Sequence, residues 1–189
     1  MADVRKKLFS DLIDLVKSNN VEAVRDFLLE PSNYTSEEVD EAFFVACDSG
    51  NTEIVKLFLK HPKVNFNQLQ RGHYEKDLKS PFFRACENGN DEVVRLLLAD
   101  PRIDVTIPDQ QNQTPFYVLC ETGNYELIEF VLQDPRININ QANIYGHTPL
   151  HLACSNNNLA LVQLLLNSRA TMQADQKGNT PLHNAIEGD

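Results

Sequence analysis

Four cysteines and five histidines hold most of the chain's capacity for nucleophilic, redox or metal chemistry. Cys47, Cys86, Cys120 and Cys154 are far apart along the chain, and no C-x-x-C pair is present to begin a zinc site. Each stands in a similar setting, as in Ala46-Cys47-Asp48-Ser49-Gly50-Asn51 and Ala85-Cys86-Glu87-Asn88-Gly89-Asn90. Helices stacked side by side lie about 8–10 Å apart. A disulfide needs alpha carbons within about 7 Å. Cysteines at one position of successive stacked units therefore read as small apolar core residues, suited to a reducing compartment. His61, His73 and His147 fall in connecting segments, with no Cys, Asp or Glu at ligand-like spacing. No glycine-rich phosphate loop, nucleophile elbow or H-E-x-x-H run occurs. The expectation is a non-enzyme with no catalytic residue, no cofactor and no metal.

The elements that hold these residues repeat. Leu15-Val16-Lys17-Ser18-Asn19-Asn20 aligns with the two segments above, with Leu119-Cys120-Glu121-Thr122-Gly123-Asn124 and with Ala153-Cys154-Ser155-Asn156-Asn157-Asn158. A sixth segment starts at Ala185. First positions at 15, 46, 85, 119, 153 and 185 are separated by 31, 39, 34, 34 and 32 residues. A period of this length indicates stacked two-helix units. Ser80-Pro81, Thr114-Pro115, Thr148-Pro149 and Thr180-Pro181 place a hydroxyl N-cap before proline at the first helical position. Gly50, Gly89 and Gly123, or Asn19 and Asn157, then end the short helix in a left-handed conformation. In the unit that lacks Thr-Pro, Thr35 and Glu38 can form a capping box for a longer first helix. The second helices are amphipathic: Ile54, Val55, Phe58 and Leu59 recur as Val93, Val94, Leu97 and Leu98, as Leu127, Ile128, Val131 and Leu132, and as Leu161, Val162, Leu165 and Leu166. Val24, Phe27 and Leu28 begin the series. One unit cannot bury its stripe alone, so neighbours must stack.

Thr148-Pro149-Leu150-His151-Leu152-Ala153 and Thr180-Pro181-Leu182-His183-Asn184-Ala185 match the T-P-L-H-x-A signature, and on these residues the chain resembles the ankyrin-repeat family. Asn143-Ile144-Tyr145-Gly146-His147 and Asp175-Gln176-Lys177-Gly178-Asn179 are similar to the turn that precedes that signature. Phe43-Phe44, Phe82-Phe83 and Phe116-Tyr117 depart from it, in place of Leu-His. The resemblance implies an all-α fold, an ankyrin-repeat solenoid of stacked helix-turn-helix units with short hairpin turns. It implies a single domain over 1–189, with units near 3–35, 36–75, 76–109, 110–143 and 144–175, and a truncated unit 176–189. It also implies that His151 and His183 hydrogen-bond a neighbouring turn rather than catalyse.

Such proteins bind partners with their turn tips and first helices, which implies a non-catalytic protein-interaction scaffold. Carried onto this chain, the tips are Lys76, Asp77 and Lys79; Gln110, Gln111 and Gln113; Ile144, Tyr145 and His147; Gln176, Lys177 and Asn179. The helix surface comprises Asp48, Ser49, Glu87, Asn88, Glu121, Thr122, Ser155 and Asn156. Asp48, Glu87 and Glu121 repeat an acid along a concave groove, which favours a basic peptide or basic protein surface. Ile144 and Tyr145 supply an apolar anchor on a polar tip.

The net charge of −10 argues against a nucleic-acid partner. No apolar run suits a membrane span or signal peptide, so an intracellular, cytoplasmic protein is expected, and a monomer because the sequence shows no coiled-coil seam. The long connection 61–80 causes the 39-residue spacing and is expected to add a partner contact. The chain stops within its sixth unit, which leaves open a targeting region of a longer enzyme such as a kinase or ligase. A stoichiometric inhibitor of an enzyme or transcription factor is a further alternative.

Overall fold

A hydroxyl or asparagine cap starts nearly every helix, and a left-handed residue ends nearly every first helix. The computed structural model describes residues 11–30, 32, 34–71 and 78–187. They fall in two compact units, divided between Asp104 and Val105. The first holds α1 (helical over 11–17), α2 (Val21–Leu28), α3 (Ser36–Asp48) and α4 (Thr52–Leu59). It continues with a two-residue hairpin pair, β1 (Gln70–Arg71) and β2 (Leu78–Lys79), and with α5 (Pro81–Glu87) and α6 (Asp91–Leu98). The pair is antiparallel, with Gln70 opposite Lys79 and Arg71 opposite Leu78. The second unit holds α7 (Pro115–Glu121), α8 (Tyr125–Val131), α9 (Pro149–Ser155), α10 (Leu159–Asn167) and α11 (Pro181–Glu187).

The expected caps are formed. Ser80 and Thr114 accept from the amides of Phe83 and Tyr117, each at 3.1 Å, with proline next in the helix. Thr35 and Glu38 complete a capping box, which gives α3 its thirteen residues without a Thr-Pro start. Asn19, Gly50, Gly89, Gly123 and Asn157 all have positive φ. The asparagine after each one occupies the N-cap position of the second helix. Asn20, Asn124 and Asn158 accept from the third helical amide. Asn51 and Asn90 instead turn their side-chain amides back: Asn51 donates to the Val16 carbonyl, and Asn90 to those of Cys47 and Asp48 at 2.9 and 3.1 Å.

In the first unit α3 packs on α4 and α5, α5 on α6, and α4 lies between α2 and α6. Its core rests on Phe43, Phe44, Phe58, Phe82 and Phe83, all 2% exposed or less. Burying each such ring contributes about 1.5–3 kcal/mol. In the second unit α9 packs against α7, α10 and α11 around Phe116, Leu119, Leu127, Ile128, Leu150 and Leu165. The Phe-Phe and Phe-Tyr departures from Leu-His are thus packing changes inside the same helix pair. All four cysteines are buried and unbridged. Burial pushes the thiols of Cys47, Cys120 and Cys154 up, away from the reactive thiolate form. The apolar stripe is narrower than its spacing suggests: Leu166, in the last turn of α10, is 40% exposed.

Candidate interaction surface

Three successive turns in the second unit share one construction. Asp109 Oδ1 accepts from the amides of Gln111 and Gln113, at 2.9 and 2.8 Å. Asn143 Oδ1 accepts from Tyr145 and His147, at 2.9 and 3.0 Å. Asp175 Oδ1 accepts from Lys177 and Asn179, both at 2.8 Å. The fourth residue of each, Asn112, Gly146 or Gly178, takes positive φ to close the turn. The turns are also laced to each other. Ile144 N–H donates to the Gln111 carbonyl at 2.9 Å. Gln176 donates its amide to the Tyr145 carbonyl at 3.2 Å and its side chain to the Ile144 carbonyl at 2.6 Å. The backbone of the middle turn is held on both sides.

Its side chains face outward. Ile144 is 45% exposed and Tyr145 is 55% exposed. Gln111 and Lys177 are exposed beside them in sequence-equivalent turns, and Gln113 is half-buried. Glu121, Thr122 and Asn156 are exposed at the ends of α7 and α9, with the Thr122 hydroxyl donating to the Leu119 carbonyl at 2.8 Å.

His147 is half-buried, and its Nε2 lies 3.2 Å from Asp175 Oδ2. The fold thus brings it a carboxylate that sequence spacing did not offer. Burial raises Asp175, but the amides of Asn179 and Lys177, together with His147, outweigh it and hold the carboxyl below its usual range. His147 also stacks on His151, with ring centroids 5.5 Å apart.

His151 is fully buried and has its tautomer fixed. Nδ1 accepts the Thr148 amide at 3.1 Å and meets the Thr148 hydroxyl at 2.9 Å, so the ring proton sits on Nε2, 3.2 Å from the Asn179 carbonyl. His183 repeats the first half of this with Thr180, at 3.1 and 2.8 Å. Burial lowers the His151 pKa, against the Asn179 carbonyl, which raises it. A histidine depressed in the folded state binds fewer protons than in the unfolded chain. Its stabilising effect is therefore complete above the unfolded value near 6.5 and declines as pH falls below it. The thermal midpoint of the second unit should drop between pH 7.5 and 5.5, and His151→Gln should flatten that slope. An unchanged slope in the variant would remove His151 from the account.

In the first unit the expected row of acids is already engaged. Arg84 donates from Nε and Nη2 to Asp48 Oδ1, at 2.8 and 2.5 Å, and from Nη1 to Glu87 Oε2 at 2.6 Å. Lys79 Nζ lies 2.8 and 3.0 Å from the two Glu87 oxygens and 5.3 Å from the centre of the Phe83 ring. Asn88, exposed, donates to the Asp48 carbonyl and carboxylate at 2.8 and 3.0 Å. One correction follows: Lys79 is 8% exposed in β2, not on a tip, because its side chain lies over the Phe83 ring and against Glu87. Asp48 and Glu87 are both ion-paired within the fold, because Arg84 comes within reach of both. Lys76 and Asp77 lie outside the described residues.

A loop motif escaped the sequence reading, although three copies carry it. His61-Pro62-Lys63-Val64-Asn65-Phe66-Asn67, Asp100-Pro101-Arg102-Ile103-Asp104-Val105-Thr106 and Asp134-Pro135-Arg136-Ile137-Asn138-Ile139-Asn140 follow successive second helices. Asp100 holds Arg102 by its amide, Nε and Nη2, and Asp134 holds Arg136 in the same way. These hydrogen bonds, from the arginine side chains first, hold both carboxyls below their usual range. Asn67 and Asn140 then tie one loop to the next, accepting the amides of Asp104 and Thr171 at 2.8 Å each.

No group of three or more metal-ligating side chains occurs among the described residues. No described helix is long and apolar enough to cross a membrane. The family model described as ankyrin repeats, in three copies, matches residues 12–109, 66–143 and 116–189. A search of curated proteins found no match.

Proposed function

The chain belongs to the ankyrin-repeat family, whose modules generally bind proteins and are typically non-catalytic, and we propose that it binds a protein partner through the turn tips of its second unit. The observation that carries this is Ile144 and Tyr145, exposed on a turn whose backbone is hydrogen-bonded to the turns before and after it. An aromatic side chain on a backbone that is already fixed loses little entropy on binding, which is what an interface anchor requires. His147 in the same turn and Gln111, Gln113 and Lys177 in the equivalent turns flank it, and Glu121, Thr122 and Asn156 extend the contact along the helix ends. The net charge of −10 favours a partner with a basic surface through long-range attraction, separately from any contact at the anchor.

The test places a photo-crosslinking benzoylphenylalanine at position 145 of the full chain, with the same group at Glu129 on α8 as control. A protein captured from position 145, not from 129, and lost when Ile144→Ser and Lys177→Glu are added, is the expected result. Equal capture from both positions, or none from 145, would reject the tips as the contact.

A further inference from the structure

The second unit contains a pocket of about 270 Å³ between the chain entering its first turn and the Asp134-Pro135-Arg136 loop. Val105, Pro108, Phe116 and Ile137 give it apolar walls, and Asn112 and Arg136 lie at its polar side. The repeat itself shows what such a place accommodates. In the loop copies aligned above, Phe66 stands where Val105 stands, and Arg102 stands where Arg136 stands. In the first unit the Phe66 ring is buried, meets Phe43 edge-on at 5.3 Å, and lies under the Arg102 guanidinium at 4.4 Å. Both arginines are fixed by the same grip of the preceding Asp, so both present a planar cation in a set orientation. The second unit keeps the oriented cation, but a valine stands where the ring does, and Phe116, which lies one repeat on from Phe82 rather than from Phe43, supplies the aromatic wall.

We propose that this pocket receives an aromatic side chain of the bound protein, seated against Phe116 and Ile137 with its face toward the Arg136 guanidinium. The assignment rests on the partner-binding reading above. Charge complementarity selects the occupant: a guanidinium attracts the electron-rich face of a ring and offers an aliphatic group nothing equivalent. The pocket volume suits one large side chain. Arg136 keeps its bonds to Asp134 throughout, as Arg102 keeps its bonds to Asp100 while covering Phe66.

The experiment titrates the ¹⁵N-labelled full chain with N-acetyl-phenylalaninamide and N-acetyl-tryptophanamide, with N-acetyl-leucinamide and benzyl alcohol as comparisons. Saturable shifts at the amides of Thr106, Asn112 and Ile137 and at Arg136 Nε–H are expected. The aromatic amino-acid amides should bind in the millimolar range, about tenfold more tightly than the leucine amide. Val105→Phe restores the internal ring of the earlier repeat and should abolish the shifts while the remaining spectrum stays dispersed. Should that variant lose its fold, Arg136→Gln serves in its place and should weaken the aromatic amides about two- to fivefold. Absence of saturable shifts, equal binding of the leucine amide, or undiminished binding by a folded Val105→Phe would overturn the proposal. Tighter binding of benzyl alcohol than of either aromatic amide would overturn the assignment to a side chain. Crosslinking at position 145 does not involve the pocket, so failure here and failure of the tip reading are distinguishable.

Discussion

Gly146→Ala is expected to destabilise the second unit by about 2–4 kcal/mol, far more than Gly178→Ala at the equivalent position of the next turn. Both glycines have positive φ, +84° and +87°, where a side chain costs about 1–2 kcal/mol. Their surroundings differ. A Cβ at 146 would lie 2.7 Å from the Gln176 amide nitrogen and 2.9 Å from the Asp175 Cα, while nothing lies within 4 Å of one at 178. The atoms in the way are backbone, and they belong to the turn that donates to the Tyr145 carbonyl. The alanine must therefore push that turn off or distort its own. Chemical denaturation of the two variants checks this, and the difference between them isolates the steric part. Equal losses would mean that the turns separate freely, and would undermine the fixed tip on which the proposed anchor depends.

Arg84→Met should cost about 2–3 kcal/mol, between the values typical of exposed and buried ion pairs. The Arg84 side chain is 12% exposed, and it bridges Asp48 and Glu87, which are 28% and 29% exposed. Its removal leaves two carboxylates near one another, with Lys79 on Glu87 and Asn88 on Asp48 as remaining partners. Methionine retains most of the aliphatic packing, so the loss reports charge rather than volume. Denaturation midpoints in a cycle with Asp48→Leu should show a coupling of about 1–2 kcal/mol that shrinks with added salt. Strict additivity would show that the bridge contributes nothing to the first unit.

Local signals were legible in the sequence because they act within four or five residues. Thr35 with Glu38, Ser80-Pro81 and Gly50 each satisfy a helix end from nearby, so residue type and spacing are sufficient. The exposed Ile144 and Tyr145 followed from the turn they occupy. Partnerships between repeats were not legible. Arg84 reaches Asp48 across 36 residues, and His147 reaches Asp175 across 28. Neither separation matches a spacing within one helix or loop. Aligning the repeats column by column exposes part of this. It shows arginine at 84 where leucine stands at 152, and valine at 105 where phenylalanine stands at 66. A departure from the column marks a local bargain with a neighbouring repeat, and only the fold reveals its terms.

The backward-turned side chains of Asn51 and Asn90 bear on how the first unit comes apart. Each starts one second helix while gripping carbonyls at the end of the preceding first helix. Fraying of either end then strips a partner from the other, so adjoining repeats cannot open one at a time without breaking these bonds. Such sharing raises the nearest-neighbour coupling that makes a linear array melt as one body. In hydrogen exchange, the amides of Val55 and Val94, which donate to the Asn51 and Asn90 carbonyls, should then report the opening of the whole unit rather than private excursions of their own helices.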